Sequence, residues 1–372
     1  MIHLYLWKRL VRDPMRPGWR RRTGGLAAVL LAVLIPATLI GTRTGNAEWL
    51  AWPGYLWLAV MFYLFVILAV LEVPRLVATL VARWTGRTRG RVDAAADPPG
   101  IDRRLLLARS AAIFAGLTAA GITGYGVRTA LGPPRLHRVQ MPLAKLPRAL
   151  DGIRLAVVAD IHLGPLTGSH HVGRIVDLIN SVNADIVCVV GDLVDGTVAE
   201  LGRFAEPLAS IRSRQGAYFV TGNHEYYSGF QPWVDEVASL GVRPLRNERL
   251  ELGGLDLAGV NDLTGGGFGD APDFGKALGG RDTARPVVLM AHQPVMARDA
   301  ARYGVDLQVS GHTHGGQTVP FNLLVRLQQP VVSGYGIVDG VPVYVTDGAG
   351  FWGPPVRVGA PPEVTVIDLR TP

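Results

Sequence analysis

Three long apolar stretches are followed by many short ones, and this change of rhythm divides the chain. Leu26 to Ile40 is apolar except for Pro36 and Thr38, Trp49 to Leu71 carries no charge, and Leu105 to Leu131 carries only Arg109 and Arg128. About 20 apolar residues cross a bilayer as a helix. Membrane helices are therefore expected over roughly 26–42, 49–71 and 105–131, making residues 1–131 a membrane region. Residues 132–150 contain Gly132-Pro133-Pro134 and Pro147 and read as a connector.

From Ile153 the apolar runs shorten to strand length. Ile153 to Ala159, Ile186 to Val190, Ala217 to Val220, Pro286 to Ala291 and Val305 to Val309 read as strands covered on both faces. Ser169 is placed to cap a helix whose apolar face is Val172, Ile175, Val176 and Ile179. Val341 to Val345 and Glu363 to Ile367 read as strands closing a second sheet. Alternation of strands and helices, then mostly strands, predicts a layered α/β sandwich with two packed sheets over 151–372.

Charge follows the same division. Residues 1–150 hold 21 Lys+Arg and 6 Asp+Glu, net +15, whereas residues 151–372 hold 16 and 24, net −8. An acidic domain argues against nucleic acid as a partner, because phosphate binding needs clustered basic residues. The basic segments flanking the apolar stretches are Lys8 to Arg22 and Arg83 to Arg104, while the first short loop has Arg43 against Glu48. The positive-inside bias then puts residues after about 132 on the extracytoplasmic side if all three stretches span, and in the cytoplasm if the third does not. Asp102-Arg103-Arg104 before the third stretch reads either as a twin-arginine export signal or as ordinary flanking charge, with the same orientation. The single cysteine, Cys188, lies within an apolar strand and reads as a small buried hydrophobe.

Polar groups gather where strands end. Asp160-Ile161-His162, Gly191-Asp192-Leu193-Val194-Asp195, Gly222-Asn223-His224-Glu225, His292 and Gly311-His312-Thr313-His314 each close or follow an apolar run. Alone, the Asp160, Gly191 and His292 blocks are explained by a turn or a structural histidine; Gly222-Asn223-His224-Glu225 is rarer, and the two histidines of the Gly-flanked 311–316 loop are the strongest local sign of metal binding. Together they hold five of the nine histidines, and in open α/β sheets ligands collect beyond the carboxyl ends of strands.

In combination and order, these blocks resemble the calcineurin-like metallophosphoesterase superfamily, and Gly311 to Gln317, Pro362-Glu363-Val364 and the membrane leader resemble its small bacterial membrane-associated branch. The resemblance implies a four-layer α-β-β-α sandwich and a site holding two divalent metal ions. Asp160, His162 and His314 would bind one, Asn223, His292 and His312 the other, and Asp192 would bridge them. His224, oriented by Asp195, would be the catalytic residue beside the metals. Mixed oxygen and imidazole donors suit Mn, Fe or Zn. The implied reaction is attack on phosphorus by a hydroxide shared between the metals. Purple acid phosphatases carry a tyrosine three residues after the bridging aspartate; Asp195 stands there instead, so no iron–phenolate centre is expected.

The expected partners are the lipid bilayer and a phosphorylated small-molecule or lipid-linked substrate, with phosphodiester, phosphomonoester and pyrophosphate all open. The segments 263–281 and 321–335 and the Phe351-Trp352-Gly353-Pro354 turn read as rim over the metals or as plain surface. An envelope-binding or scaffold protein with residual activity is the alternative function. A reporter enzyme active only outside the cytoplasm, fused after residue 150, is expected to be active; a silent reporter places the domain in the cytoplasm.

Overall fold

The computed structural model describes residues 1–88 and 103–372. Arg89, Arg91 and Asp102, which entered the charge argument, lie outside the described residues. The chain forms two compact units, Met1–Gly126 and Val127–Pro372.

The first unit is helical: α1 (Ile2–Trp7), α2 (Trp19–Arg43), α3 (Ala51–Thr88) and most of α4 (Arg103–Leu131). Trp19–Arg43, Glu48–Pro74 and Arg104–Leu131 are each long and apolar enough to cross a membrane, where a helix satisfies its own backbone groups. α2 and α3 approach closely at Gly54, whose added Cβ would fall 1.7 Å from Thr38 Oγ1. Glu72, at the end of the uncharged stretch, accepts from Tyr5 Oη at 3.1 Å and pairs with Arg9.

The second unit holds two six-stranded sheets. The first contains β1 (Arg135–Pro142), β2 (Arg154–Val158), β3 (Ile186–Val190), β4 (Ala217–Val220), β5 (Arg243–Pro244) and β12 (Glu363–Arg370), in the order β1-β12-β2-β3-β4-β5. The second contains β6 (Glu248–Leu252), β7 (Leu255–Gly259), β8 (Val287–Met290), β9 (Leu307–Ser310), β10 (Gly334–Val338) and β11 (Val341–Val345), in the order β10-β11-β9-β8-β7-β6.

Side-chain alternation explains why the inner strands read as unbroken apolar runs. In β2, Leu155 and Val157 enter the layer between the sheets, while Ala156 and Val158 face the outer helices. In β3, Ile186, Cys188 and Val190 point inward, and Val187 and Val189 outward. β8 repeats this in the second sheet, with Val288 and Met290 inward and Val287 and Leu289 outward. The outer face of the first sheet is covered by α5 (Ser169–Ser181), α6 (Val198–Ala205) and α8 (Phe230–Ser239), whose Val172, Leu201 and Trp233 share one cluster. The outer face of the second sheet is covered by short helices carrying Phe274, Ala277 and Ala297. The result is the expected four-layer α-β-β-α sandwich.

Three local expectations change. The connector over 132–150 instead contains β1, paired in parallel with β12 along its whole length, and Leu143 and Leu146 beyond it are buried between the sheets. β1 is a polar edge strand with one buried residue, so it lacks the apolar run by which the others were read. β12 belongs to the first sheet, between β1 and β2, rather than closing the second. Ser169 does not cap α5; Gly168 is the N-cap, and Ser169 Oγ donates to the Arg203 carbonyl at 3.4 Å. The apolar face of α5 is as expected: Val172, Ile175, Val176 and Ile179 are all buried. The hairpin β6–β7, which turns at Gly253-Gly254, was not read from the pattern.

A soluble fragment beginning at residue 133 is therefore expected to fold, and one beginning at residue 151 to aggregate. The second exposes the β12 edge and removes Met141, Leu143 and Leu146, each worth about 1.5–3 kcal/mol of burial. Soluble yield and thermal midpoint of the two fragments check this.

Candidate metal centre

All five polar blocks emerge from strand ends on one side of the sandwich. Asp160 and His162 follow β2, Asp192 and Asp195 follow β3, Asn223 and His224 follow β4, His292 follows β8, and His312 and His314 follow β9. The turns are sharp. Asp160, His162, Asp192, His312 and His314 all have φ between 48° and 73°, the left-handed region that side chains with a Cβ seldom adopt. Backbone strain of this kind persists where surrounding contacts over-determine it.

Those contacts come largely from Glu225. Its buried carboxylate accepts from the backbone N–H groups of Asp192 (3.0 Å), Leu193 (2.7 Å) and Gly222 (2.6 Å), tying the β3 and β4 turns together. Burial, reinforced by Asp192, pushes its pKa up to about 7. The Asp192 carboxylate accepts from the His224 N–H at 2.9 Å, and the Asp160 carboxylate from the His312 N–H at 2.9 and 3.0 Å. Gly191 is required here: a Cβ would fall 2.6 Å from the Gly222 nitrogen and 2.7 Å from His292 Nδ1.

Three sets of potential ligands lie together: Asp160, His162 and His314; Asp192, His292 and His312; and His162, Asp195 and His224. His162 Nε2 is 3.0 Å from His314 Nε2 and 3.9 Å from Asp192 Oδ2. His314 Nε2 is 3.9 Å from Asp160 Oδ1. Asn223, which completes the expected set, places Oδ1 2.9 Å from His312 Nδ1.

The arrangement of lone pairs fits cations. His292 Nδ1 is 2.8 Å from the Val190 carbonyl, to which it must donate, so Nε2 carries the ring's lone pair. That Nε2 is buried without a hydrogen-bond partner, yet lies 3.1 Å from Asp192 Oδ2. An unprotonated nitrogen facing a carboxylate oxygen is repulsive unless a proton or a metal ion lies between them. Without a cation the group compensates by protonation. Burial opposes the charged ring, but Asp192 and Asp160 outweigh it and push the His292 pKa well up. His314 goes the other way: burial, then the Arg357 guanidinium, hold it well below the usual range.

Asp195 stands apart from the other acids. Its Oδ1 is 2.7 Å from both His162 Nδ1 and His224 Nδ1. Burial alone would raise its pKa, but the two rings outweigh it and hold it at about 2. Burial would likewise lower His224, yet Asp192 and Asp195 raise it to about 9. His224 is also the more open ring, its side chain 18% exposed against 1% for His162. It faces Tyr227 and Trp352, with ring centroids 5.6 and 6.4 Å away.

Two supporting residues had no role in the sequence reading. Glu225 lies in the Gly222–Glu225 block, and its position three residues after the N-cap Gly222 is the available signal. Arg357 is fully buried 43 residues beyond His314. It donates to the carbonyls of His314 (2.8 Å), Asp347 (2.8 Å) and Gly350 (2.9 Å), and Nη2 lies 3.2 Å from His314 Nδ1. In the neutral ring Nδ1 therefore accepts and the proton sits on Nε2. Nothing near Arg357 in sequence marks that role.

Comparison with known proteins shows what the whole chain is similar to. Residues 153–316 match the family model described as calcineurin-like phosphoesterase. A Danio rerio "Transmembrane protein with metallophosphoesterase domain" is 34% identical over 99% of this chain and 86% of its own length. The Bos taurus protein of the same name is 34% identical over 78% of this chain and 67% of its own. An "Uncharacterized metallophosphoesterase" of Helicobacter pylori is 38% identical over 68% of each chain.

Glu225→Ala leaves three buried N–H groups without an acceptor. We expect a loss of about 2–4 kcal/mol, read as a lower thermal midpoint, together with reduced metal content by elemental analysis. An unchanged midpoint would show that the turns do not rely on this carboxylate.

Proposed function

The chain belongs to the calcineurin-like phosphoesterase family, and on that premise we propose that it is a membrane-anchored, two-metal phosphohydrolase acting on the extracytoplasmic side. The observation that carries the reading is the convergence of seven donors, with Asp195 bridging the ligand His162 to His224 beside them. Asp160, His162 and His314 would hold one divalent cation, Asn223, His292 and His312 the other, and Asp192 both. Manganese, iron or zinc suits these donors. Bound there, two cations supply Lewis acidity toward phosphoryl oxygens and lower the pKa of water.

The chain's own residues supply orientation and a proton. Asp195 engages Nδ1 of both His162 and His224, fixing the ring planes and leaving the opposite nitrogen of each for the site. His162 is thereby set as a ligand. His224 is set as a proton donor by the Asp195 carboxylate at its Nδ1, which favours the charged ring and is not among the proposed metal ligands. A charged His224 can stabilise a phosphoryl oxygen and protonate the departing alkoxide, worth about 10²–10⁴-fold in rate when well placed. The fixed Glu225 and Arg357 contacts hold these groups before substrate arrives, which limits reorganisation during the reaction.

The purified full-length protein, loaded with Mn²⁺ and given phosphomonoesters, phosphodiesters and lipid pyrophosphates, is expected to hydrolyse at least one class. An inert protein with two metals bound overturns the reading. His224→Ala should cost more with a poor alkoxide leaving group than with nitrophenolate. Asp195→Asn should shift the alkaline limb of the rate profile to lower pH. The active form is protonated His224, rate falls as pH rises through its pKa, and loss of the Asp195 charge lowers that pKa.

A further inference from the structure

The loop that carries His312 and His314 continues into a surface unlike the rest of its unit. Leu323, Leu324 and Leu327, on and just after the short helix Asn322–Val325, are 59%, 56% and 81% exposed. Val319 beside them and Trp352 across the loop are also exposed. Large apolar side chains clustered in water on a folded surface mark a contact with something else. From Gly311 to Val338 there is no acidic residue and one basic residue, Arg326, in a region that elsewhere holds 24 acids.

This surface is built as firmly as the site below it. Gln317 donates to the Trp352 carbonyl at 2.9 Å and accepts from the Trp352 N–H at 2.9 Å, clipping the two apolar segments together. Thr318 bridges to Val358 and Gly359. The buried Gln329 accepts from the Val295 N–H at 3.1 Å, anchoring the far end. Gly316 packs against Asn322, whose Cα would lie 2.4 Å from an added Cβ. The leucines therefore stay exposed because the backbone beneath them is fixed.

We infer that this apolar cap, centred on Leu323, Leu324 and Leu327, seats in the bilayer interface and brings the metal centre a phosphoester carried by a membrane lipid. This rests on the phosphohydrolase reading and adds its substrate class. A bilayer is the occupant because three helices of the same chain are long and apolar enough to enter one. The cap also has the composition of an interfacial segment: leucines to enter the acyl boundary, a basic residue to meet anionic headgroups, and no acid to be repelled. Trp352 suits the boundary between lipid and water, and its ring stands 6.4 Å from that of His224. A headgroup phosphate over the site would then keep its acyl chains along the leucines.

The test uses the full chain in liposomes of phosphatidylcholine and phosphatidylglycerol. Cys188 is buried, and burial pushes its thiol up to about 12, so an introduced cysteine is the reactive one. A polarity-sensitive fluorophore on Leu327→Cys should report an apolar setting and be quenched by lipids spin-labelled in the upper acyl chain. The same fluorophore on Ser239→Cys, an exposed position on α8, should report water. The variant L323S/L324S/L327S should hydrolyse phospholipid in the same bilayer about tenfold more slowly, with a soluble aryl phosphodiester cleaved at the wild-type rate. Water-like signals at residue 327, or equal rates on bilayer substrate, overturn the inference while leaving the phosphohydrolase intact. An apolar signal that persists without lipid and self-quenches between labelled copies also overturns it, assigning the cap to a second copy of the chain. Absence of hydrolysis of both the soluble and the bilayer substrate in the metal-loaded wild type overturns the parent reading instead.

Discussion

The packing of two sheets across one buried layer is the constraint on which the rest depends. Leu155, Val157, Ile186, Cys188 and Val190 from one sheet meet Val288, Met290, Leu307 and Val309 from the other. Because interiors pack at crystal-like density, this layer fixes where the strands end. Five ends then open toward one another, and every proposed ligand leaves within four residues of one. The centre is therefore assembled by nonpolar burial, and its polar residues need only turn inward once the strands have stopped.

That turn is costly. Five proposed ligand residues sit in the left-handed region, at roughly 1–2 kcal/mol each. The sum approaches the whole net stability of an ordinary domain, about 5–15 kcal/mol. Charge adds to it, since Asp160, Asp192 and Glu225 are all buried in one neighbourhood. Glu225 offsets part of the cost by giving three turn amides one acceptor, and Arg357 does the same in reverse, giving several loop carbonyls one donor. A cation between His292 Nε2 and the Asp192 carboxylate would remove the remaining opposition of lone pairs. Strain, buried charge and cation binding are thus parts of one arrangement, and the unit should be appreciably more stable when metal is bound.

What could be read from the sequence follows from which signals are local. Strands buried on both faces announce themselves as apolar runs, so the bounds of β3, β4 and β11 were read directly, and the ligands were found by looking where such runs stop. β1 is legible only through its partner, because Arg135 to Pro142 is polar at an edge and flanked by prolines. β12 was visible as a strand, but its sheet was not, since Val364 and Val366 would suit either. Glu225 and Arg357 act on backbone groups of distant turns, and a bond from Arg357 to the His314 carbonyl leaves no periodic or compositional trace. The segment 321–335 reads only as rim or plain surface for a related reason: in sequence an apolar residue looks the same whether it will be covered by protein or left bare.

Charge distribution bears on how such a site would meet its substrate. Residues 151–372 carry net −8, and a long-range field of that sign slows the approach of anionic phosphoesters from solution. Screening confines the effect to about 8–10 Å at physiological salt, but within that range the site gains nothing from electrostatic steering. A substrate held in the same bilayer does not have to approach through that field. It arrives by lateral diffusion, already confined to the plane in which the chain's apolar helices would lie, at an effective concentration that solution cannot match. If the Leu323–Leu327 cap meets lipid as inferred, the net charge of the unit matters less than that surface, where, from Gly311 to Val338, the acids are missing.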